Sequence, residues 1–250
     1  MDRRVSFLIA GTQRGGTTTL VEYLMQHPQI CIPTRKELHF FDKERLWRMS
    51  VPDYAAYHAE FPDGPARRLL GEATPIYMYW APALPRIRDY NPKIKLIMIL
   101  RNPITRAYSH WNRERVQGRE LLPFRDALLA EPERARQASP GQLRHASYID
   151  RGMYTKQLVR IGKLFPTEQI LVLRTDDFSR ALAAMCARIG AFLDVAPFTP
   201  TQEIVAHEGA YDHPMEPDDR RYLVEVFEEE IRKLEQLLGW DCSDWVPAAR

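Results

Sequence analysis

Apolar residues in this chain fall into two repeating arrangements: short unbroken runs, and longer runs spaced at three and four. Val5-Ser6-Phe7-Leu8-Ile9-Ala10 is apolar apart from Ser6 and is closed by Gly11, the pattern of a buried strand. Leu20, Val21, Leu24 and Met25 then follow at helical spacing, and His27-Pro28 stops that helix. Gln29–Ile32 and Arg68–Ala73 read as short second and third strands. Lys95–Leu100 is almost wholly apolar and bounded by charge, as expected of a central parallel strand covered on both faces. Asn102-Pro103 supplies an N-cap and an N1 proline, so the pattern predicts a helix from about Pro103 to about Val116.

The alternation continues beyond that helix. Tyr154–Phe165 reads as a helix and Gln169–Leu173 as a buried strand. Asp176-Asp177 can cap a helix with Phe178, Leu182, Met185, Ile189 and Leu193 on one face. A last helix starts near Pro217 and carries Leu223, Phe227, Ile231, Leu234 and Leu238. Strands alternating with helices predict an α/β fold of P-loop-like, three-layer type, a central parallel sheet flanked by helices. The polar stretch 131–147, with Pro132, Pro140 and Gly141, is expected to be a loop insertion within one domain spanning 1–250.

Composition narrows the class. The chain has 250 residues, 45% hydrophobic and 27% charged, enough for a core without covalent staples. A net charge of +2 gives no sign of a nucleic-acid partner, and no apolar run approaches the roughly 20 residues of a membrane span. Cys31, Cys186 and Cys242 are odd in number and far apart, so no disulfide framework or zinc ribbon is expected. The residues before the first strand leave no room for a signal peptide, and a reducing cytoplasm is the expected location.

The densest chemistry follows the first strand. Gly11-Thr12-Gln13-Arg14-Gly15-Gly16-Thr17-Thr18-Thr19 joins strand to helix, where successive N–H groups and the helix N-terminus favour an anion. Glycines allow close approach, the hydroxyls of Thr17, Thr18 and Thr19 add donors, and Arg14 adds fixed charge. A nucleotide triphosphatase needs a lysine after the second glycine and an aspartate for Mg²⁺. Here Thr17 follows Gly16, and the central strand ends in Arg101. The loop suits phosphate-like groups, and Mg·ATP is not expected.

Gln13-Arg14-Gly15-Gly16-Thr17-Thr18 resembles the 5′-phosphosulfate loop of sulfotransferases that use 3′-phosphoadenosine 5′-phosphosulfate (PAPS). Arg101-Asn102-Pro103-Ile104-Thr105-Arg106-Ala107-Tyr108-Ser109-His110 resembles their 3′-phosphate motif, which implies that Arg101 and Ser109 hold that phosphate. The likeness is densest over Phe7–Trp111. It continues through Gly152-Met153-Tyr154 and Gln169–Leu173 toward the heparan-sulfate type and its bacterial relatives. Five arginines against one acid, Glu114, between Arg101 and Arg119 agree with a phosphate grip. For Arg113, Arg115 and Arg119 a solvated basic helix face is the expected reading.

The resemblance also implies roles in catalysis. Arg14 stands where the family has a lysine at the bridging oxygen; it can stabilise charge but cannot give up a proton. Lys36-Glu37-Leu38-His39-Phe40-Phe41-Asp42 resembles the Lys-Glu-x-x-Phe-Phe segment of glycosaminoglycan sulfotransferases, which implies Glu37 as general base. A Phe-Phe wall is expected to raise its pKa; the bland reading is a salt bridge to Lys36 or Arg35. His39 is a competing base, on the same side as Glu37 if the segment is a strand. Gly71-Glu72-Ala73-Thr74-Pro75 resembles the Glu-Lys-Thr-Pro segment of the acceptor cleft, with Ala73 for the lysine. Glu72, Thr74 and Tyr154 are the expected acceptor contacts. Gly209 is expected to belong to a loop that closes over the nucleotide.

PAPS is thus the expected donor, with a carbohydrate or small molecule as acceptor through a hydroxyl or amine. No metal is expected, since the histidines show no ligand spacing. A P-loop kinase of small molecules and a non-catalytic nucleotide-binding module remain the alternatives. Trp80, Trp111, Trp240 and Trp245 read as packing residues, and the acidic final helix reads as a solvated face over an apolar stripe.

Overall fold

The computed structural model describes residues 4–48, 52–62, 69–138, 140–200, 204 and 213–246. Five strands, β1 (Phe7–Gly11), β2 (Ile30–Cys31), β3 (Leu69–Ala73), β4 (Lys95–Leu100) and β5 (Ile170–Arg174), form one parallel sheet in the order β2-β3-β1-β4-β5. The helices are α1 (Thr17–Met25), α2 (Glu44–Trp47), α3 (Tyr54–Ala59), α4 (Ala83–Tyr90), α5 (Pro103–Val116), α6 (Phe124–Gln137), α7 (Tyr154–Gly162), α8 (Asp177–Arg180), α9 (Leu182–Leu193) and α10 (Pro217–Leu238). The predicted α/β class and parallel sheet are as observed. No helix among the described residues is long and apolar enough to cross a membrane.

The chain divides into two compact units, 1–100 with 160–207, and 101–159 with 208–250. The first contains the whole sheet. One sheet face is built from Phe7, Ile9, Ile97 and Ile99, and packs with Leu20, Val21 and Leu24 of α1 and Met185, Ile189 and Leu193 of α9. The intervening residues Leu8, Leu96, Met98 and Leu100 are equally buried and point the other way, since strand side chains alternate. Both faces of β1 and β4 are therefore apolar, which is why their sequences show no polar alternation. In the second unit α5 packs with α10 and α6. The Asn102 side chain accepts the Ile104 N–H at 2.9 Å with Pro103 next to it, the cap its sequence predicts.

Several elements differ from expectation. The loop expected over 131–147 starts later, because α6 runs through Pro132 to Gln137. Its buried face, Phe124, Ala127, Leu128 and Glu131, keeps helical spacing up to the proline, and the turn beyond it is exposed or half-buried. The Glu131 carboxylate also accepts the N–H groups of Tyr148, Ile149 and Asp150 at 2.7–2.8 Å, a tie no local rule contains. The predicted helix after Asp176 breaks at Ala181 (φ −152°), giving α8 and α9. The break lets Phe178 stack on Tyr23 of α1 (5.9 Å) while α9 keeps its apolar face on the sheet. Helix α4 was hidden by Pro85, which sits in the first turn, where its missing N–H is no loss.

Candidate functional site

In the first unit, β1 ends in a turn that its neighbours hold tightly. The Thr12 N–H donates to the Ile99 carbonyl at 3.0 Å, and Gly15 N–H donates back to the Thr12 carbonyl at 3.0 Å. Thr175 ties the other side, its hydroxyl donating to the Gly15 carbonyl at 2.5 Å. A Cβ on Gly15 would lie 2.5 Å from the Ile99 oxygen, so no larger residue fits. Gly16 has φ +93°, natural only for glycine, and no side chain caps α1. Arg14 also adopts the left-handed region, at φ 66°. The first-turn N–H groups of α1 and the half-buried Thr18 hydroxyl thus front a turn whose shape suits an anion.

The Lys36–Asp42 segment is not a strand. Glu37 (φ 59°) and His39 (φ 54°) are both left-handed, a strain of about 1–2 kcal/mol each. Contacts from the end of β3 and beyond hold this shape. The Glu37 N–H donates to the Ala73 carbonyl at 3.1 Å and the His39 N–H to the Thr74 hydroxyl at 3.4 Å. The Phe40 and Phe41 N–H groups both donate to the Tyr77 hydroxyl, at 3.0 and 3.4 Å. The result is a line of four charged groups. Buried Asp42 meets His39 Nδ1 at 3.0 Å, His39 Nε2 faces Glu37 Oε2 at 3.5 Å, and Glu37 Oε1 faces Lys36 Nζ at 3.7 Å. The Lys36 ammonium in turn donates to the Thr18 hydroxyl in the first turn of α1.

The electrostatics assign protonation states along this line. The His39 pKa is raised from 6.5 to about 9, chiefly by the hydrogen bond to Asp42, then by that to Glu37, against the cost of burial. His39 is therefore an imidazolium at neutral pH. Glu37, expected beside an apolar wall, is 34% exposed and ion-paired with Lys36 on one side and His39 on the other. Phe40 and Phe41 instead pack in an aromatic cluster, Phe40 stacked on Tyr57 at 4.4 Å and Phe41 edge-on to Tyr77 at 5.6 Å.

Glu72 and Thr74, expected as acceptor contacts, lie underneath the segment. Glu72 is 1% exposed and accepts from Thr74, from Tyr57 at 2.5 Å and from Tyr77 at 3.0 Å. Burial pushes its carboxyl up, with the three hydroxyl donors acting in the opposite direction. A group so enclosed supports the Glu37–His39 geometry through Thr74 and Tyr77 rather than offering a surface to an acceptor. The local sequence showed which residues were polar but not which way they faced.

In the second unit, Arg101 follows the last residue of β4 and its Nε donates to the Thr105 hydroxyl at 3.1 Å. Ser109 is buried on α5, eight residues on. Tyr154, the third expected acceptor contact, is fully buried, and its hydroxyl donates to the Arg101 carbonyl at 2.8 Å. Burial is the main reason its pKa rises to about 12. Tyr154 thus fixes the backbone of Arg101. Arg113 and Arg115 are exposed, and Arg119 grips Glu114 at 2.5 and 3.0 Å, so the basic face of α5 is solvated or internally paired. Gly209 lies outside the described residues.

Comparison with known proteins decides the family. The family model described as "Sulfotransferase domain" matches residues 5–208, most of the chain. The chain belongs to the sulfotransferase family. A solved structure of a sulfotransferase from Alicyclobacillus acidocaldarius is 31% identical, with a TM-score of 0.81 over 97% of this chain and 98% of that one. Mouse sulfotransferase SULT7A1, solved complexed with PAP, shares the fold at 14% identity, with a TM-score of 0.58 over 96% and 89% of the two chains. Human heparan sulfate glucosamine 3-O-sulfotransferase 5 is 28% identical over 195 residues, 76% of this chain and 53% of the relative. The chain spans about half to two thirds of the length of the first curated relatives it matches.

Two residues of this sulfotransferase carry more of the site than their sequence suggested. Asp42 is the buried partner that sets the charge of His39, and Lys36 links the Glu37 carboxylate to the first turn of α1. Lys36 opens the Lys-Glu-x-x-Phe-Phe segment and Asp42 directly follows it, so the signal was present. The left-handed backbone that brings them into line was not. Among the described residues, no cluster of three or more His, Cys, Asp or Glu is placed to hold a metal.

Proposed function

We propose that this sulfotransferase moves a sulfuryl group from PAPS to a hydroxyl or amine of a carbohydrate or small-molecule acceptor, leaving 3′,5′-adenosine bisphosphate. One observation carries the reading: within one compact unit, the Asp42–His39–Glu37–Lys36 line ends on the Thr18 hydroxyl of the anion-binding turn. A carboxylate base and a phosphosulfate-type loop are thereby neighbours. The turn fits a phosphosulfate, since Gly15 and Gly16 keep it open and the first turn of α1 has no side-chain cap. PAPS supplies an activated sulfuryl group on a phosphate leaving group.

Each residue then has a task. Gly15, Gly16, Thr17, Thr18 and Thr19 hold the 5′ end, and Arg14 stabilises its charge as a permanent cation. Arg101 and Ser109 take the 3′-phosphate, with Tyr154 setting the Arg101 backbone. Glu37 takes the acceptor proton. His39 is unsuited to that task because, between two carboxylates, it already holds both ring protons at neutral pH. It orients Glu37 instead, and Asp42 keeps it charged. The likeness to heparan sulfate enzymes supports a carbohydrate acceptor, while Ala73 in place of a lysine favours a less acidic one. The whole chain acts as one catalytic domain, and buried thiols at Cys31, Cys186 and Cys242 suit a reducing cytoplasm.

The deciding assay offers labelled PAPS with a panel of sugar, phenol and amine acceptors. Transfer should be seen without added metal, and Glu37→Gln should cut turnover at least about a hundredfold with bisphosphate binding intact, whereas His39→Ala should cost distinctly less. No transfer to any acceptor, or turnover of Mg·ATP instead, would refute the reading.

A further inference from the structure

Sulfuryl transfer leaves an electron pair on a phosphate oxygen, and a group in place beforehand must meet that charge. Arg14 contributes a diffuse cation from within the turn itself. A second cation reaches the same turn from a different segment: the Lys36 ammonium donates to the Thr18 hydroxyl and stands 3.7 Å from Glu37. Glu37 holds the ammonium there against the field of the helix. Thr18 lies in the first turn of α1, the positive end of the helix macrodipole, and no side chain caps that turn. An anion at the turn converts the repulsion into a three-sided attraction.

Building on the sulfuryl-transfer reading of this site, we infer that Lys36 is a catalytic residue, its ammonium passing from the Thr18 hydroxyl to the leaving phosphate oxygen while it stays beside Glu37. The balance is simple. The acceptor oxygen bonds to sulfur and gives its proton to Glu37. The bond from sulfur to the bridging oxygen breaks, and its electron pair stays on the phosphate of the bisphosphate product. Lys36 keeps its three protons and donates one hydrogen bond. Negative charge thus disappears at Glu37 as it appears on the leaving oxygen. Lys36 lies beside both, so it faces an anion throughout and little has to reorganise. Both flanks of the reaction, base and leaving group, are coupled through one ammonium.

The test compares wild type with Lys36→Met and Lys36→Arg at saturating PAPS, using an acceptor the wild type accepts. Bisphosphate affinity is measured beside turnover. Lys36→Met should lose about a hundredfold in kcat, with a much smaller loss of bisphosphate affinity. Its kcat–pH profile should also change. Among the charged groups facing Glu37 are Lys36 and His39, with Asp42 behind His39. Losing Lys36 removes a cation beside the base, so the acidic limb should move to higher pH. A second variant guards against misfolding: Lys36→Cys treated with 2-bromoethylamine regains an ammonium at nearly the same reach. The native thiols are buried, which favours labelling at position 36, and turnover should recover. Two results would overturn the assignment while wild type still transfers sulfuryl groups: Lys36→Met within about threefold of wild type in kcat, or kcat and affinity falling together with an unmoved pH limb and no rescue. A wild-type protein that binds the bisphosphate but transfers nothing would overturn the sulfuryl-transfer reading itself, and the role of Lys36 with it.

Discussion

Replacing Asp42 by asparagine removes one charge from the line without changing its shape, and its consequence can be worked from the structure. His39 sits at about 9 against an ordinary 6.5, with the Asp42 hydrogen bond as the largest cause and Glu37 next. Raising the imidazole from 6.5 to about 9 corresponds to about 3.4 kcal/mol at most; with a third of the ring exposed, about 1–2 kcal/mol is the reasonable share. The sign follows from the direction. A group whose folded pKa is raised contributes stability that is complete below its unfolded value of 6.5 and is lost as pH rises through about 9. Wild type should therefore lose about 1–2 kcal/mol between pH 6.5 and 9.5 from His39 alone. Asp42→Asn should lose much less over that window, because its His39 already titrates closer to 6.5. Denaturant unfolding across the window measures the first effect, and NMR titration of the His39 ring measures the second. A wild-type His39 that titrates at or below pH 7, or stability curves that fall in parallel, would refute the charge assignment and reopen His39 as the base.

The remaining expectations are shorter. 3′,5′-Adenosine bisphosphate at a hundred times its dissociation constant should stabilise the fold by about 2.7 kcal/mol, and ATP by much less, in a thermal-shift comparison run in EDTA. Gly15→Ala should destabilise by about 1–3 kcal/mol in chemical denaturation, since its Cβ meets the Ile99 carbonyl at 2.5 Å, backbone that has no rotamer to escape by. Arg101→Ala should chiefly weaken donor binding and Arg14→Ala chiefly lower turnover, because a 3′-phosphate contact is the same in ground and transition states. Unchanged donor affinity in Arg101→Ala would remove it from the 3′-phosphate site.

Much of this protein was legible in its sequence because the deciding forces were local. Unbroken apolar runs became β1 and β4, since a strand covered on both faces has no polar side to show, whereas β5, expected to be buried, lies at the sheet edge and is mostly half-buried. Asn102-Pro103 began α5 where it had to, and two adjacent glycines marked a turn that no larger residue can make. Tertiary structure decided what depended on contacts distant along the chain. Helix α6 passes through Pro132 because Glu131 is bonded to backbone 17–19 residues away. Glu72, Thr74 and Tyr154 look like site residues in the sequence, yet burial turns each into a support. The left-handed backbone at Glu37 and His39, imposed by Ala73, Thr74 and Tyr77, puts carboxylate, imidazolium and ammonium in one line. Residue types set which chemistry was available here; which groups meet, and in which protonation state, followed from pairings that only the folded chain brings together.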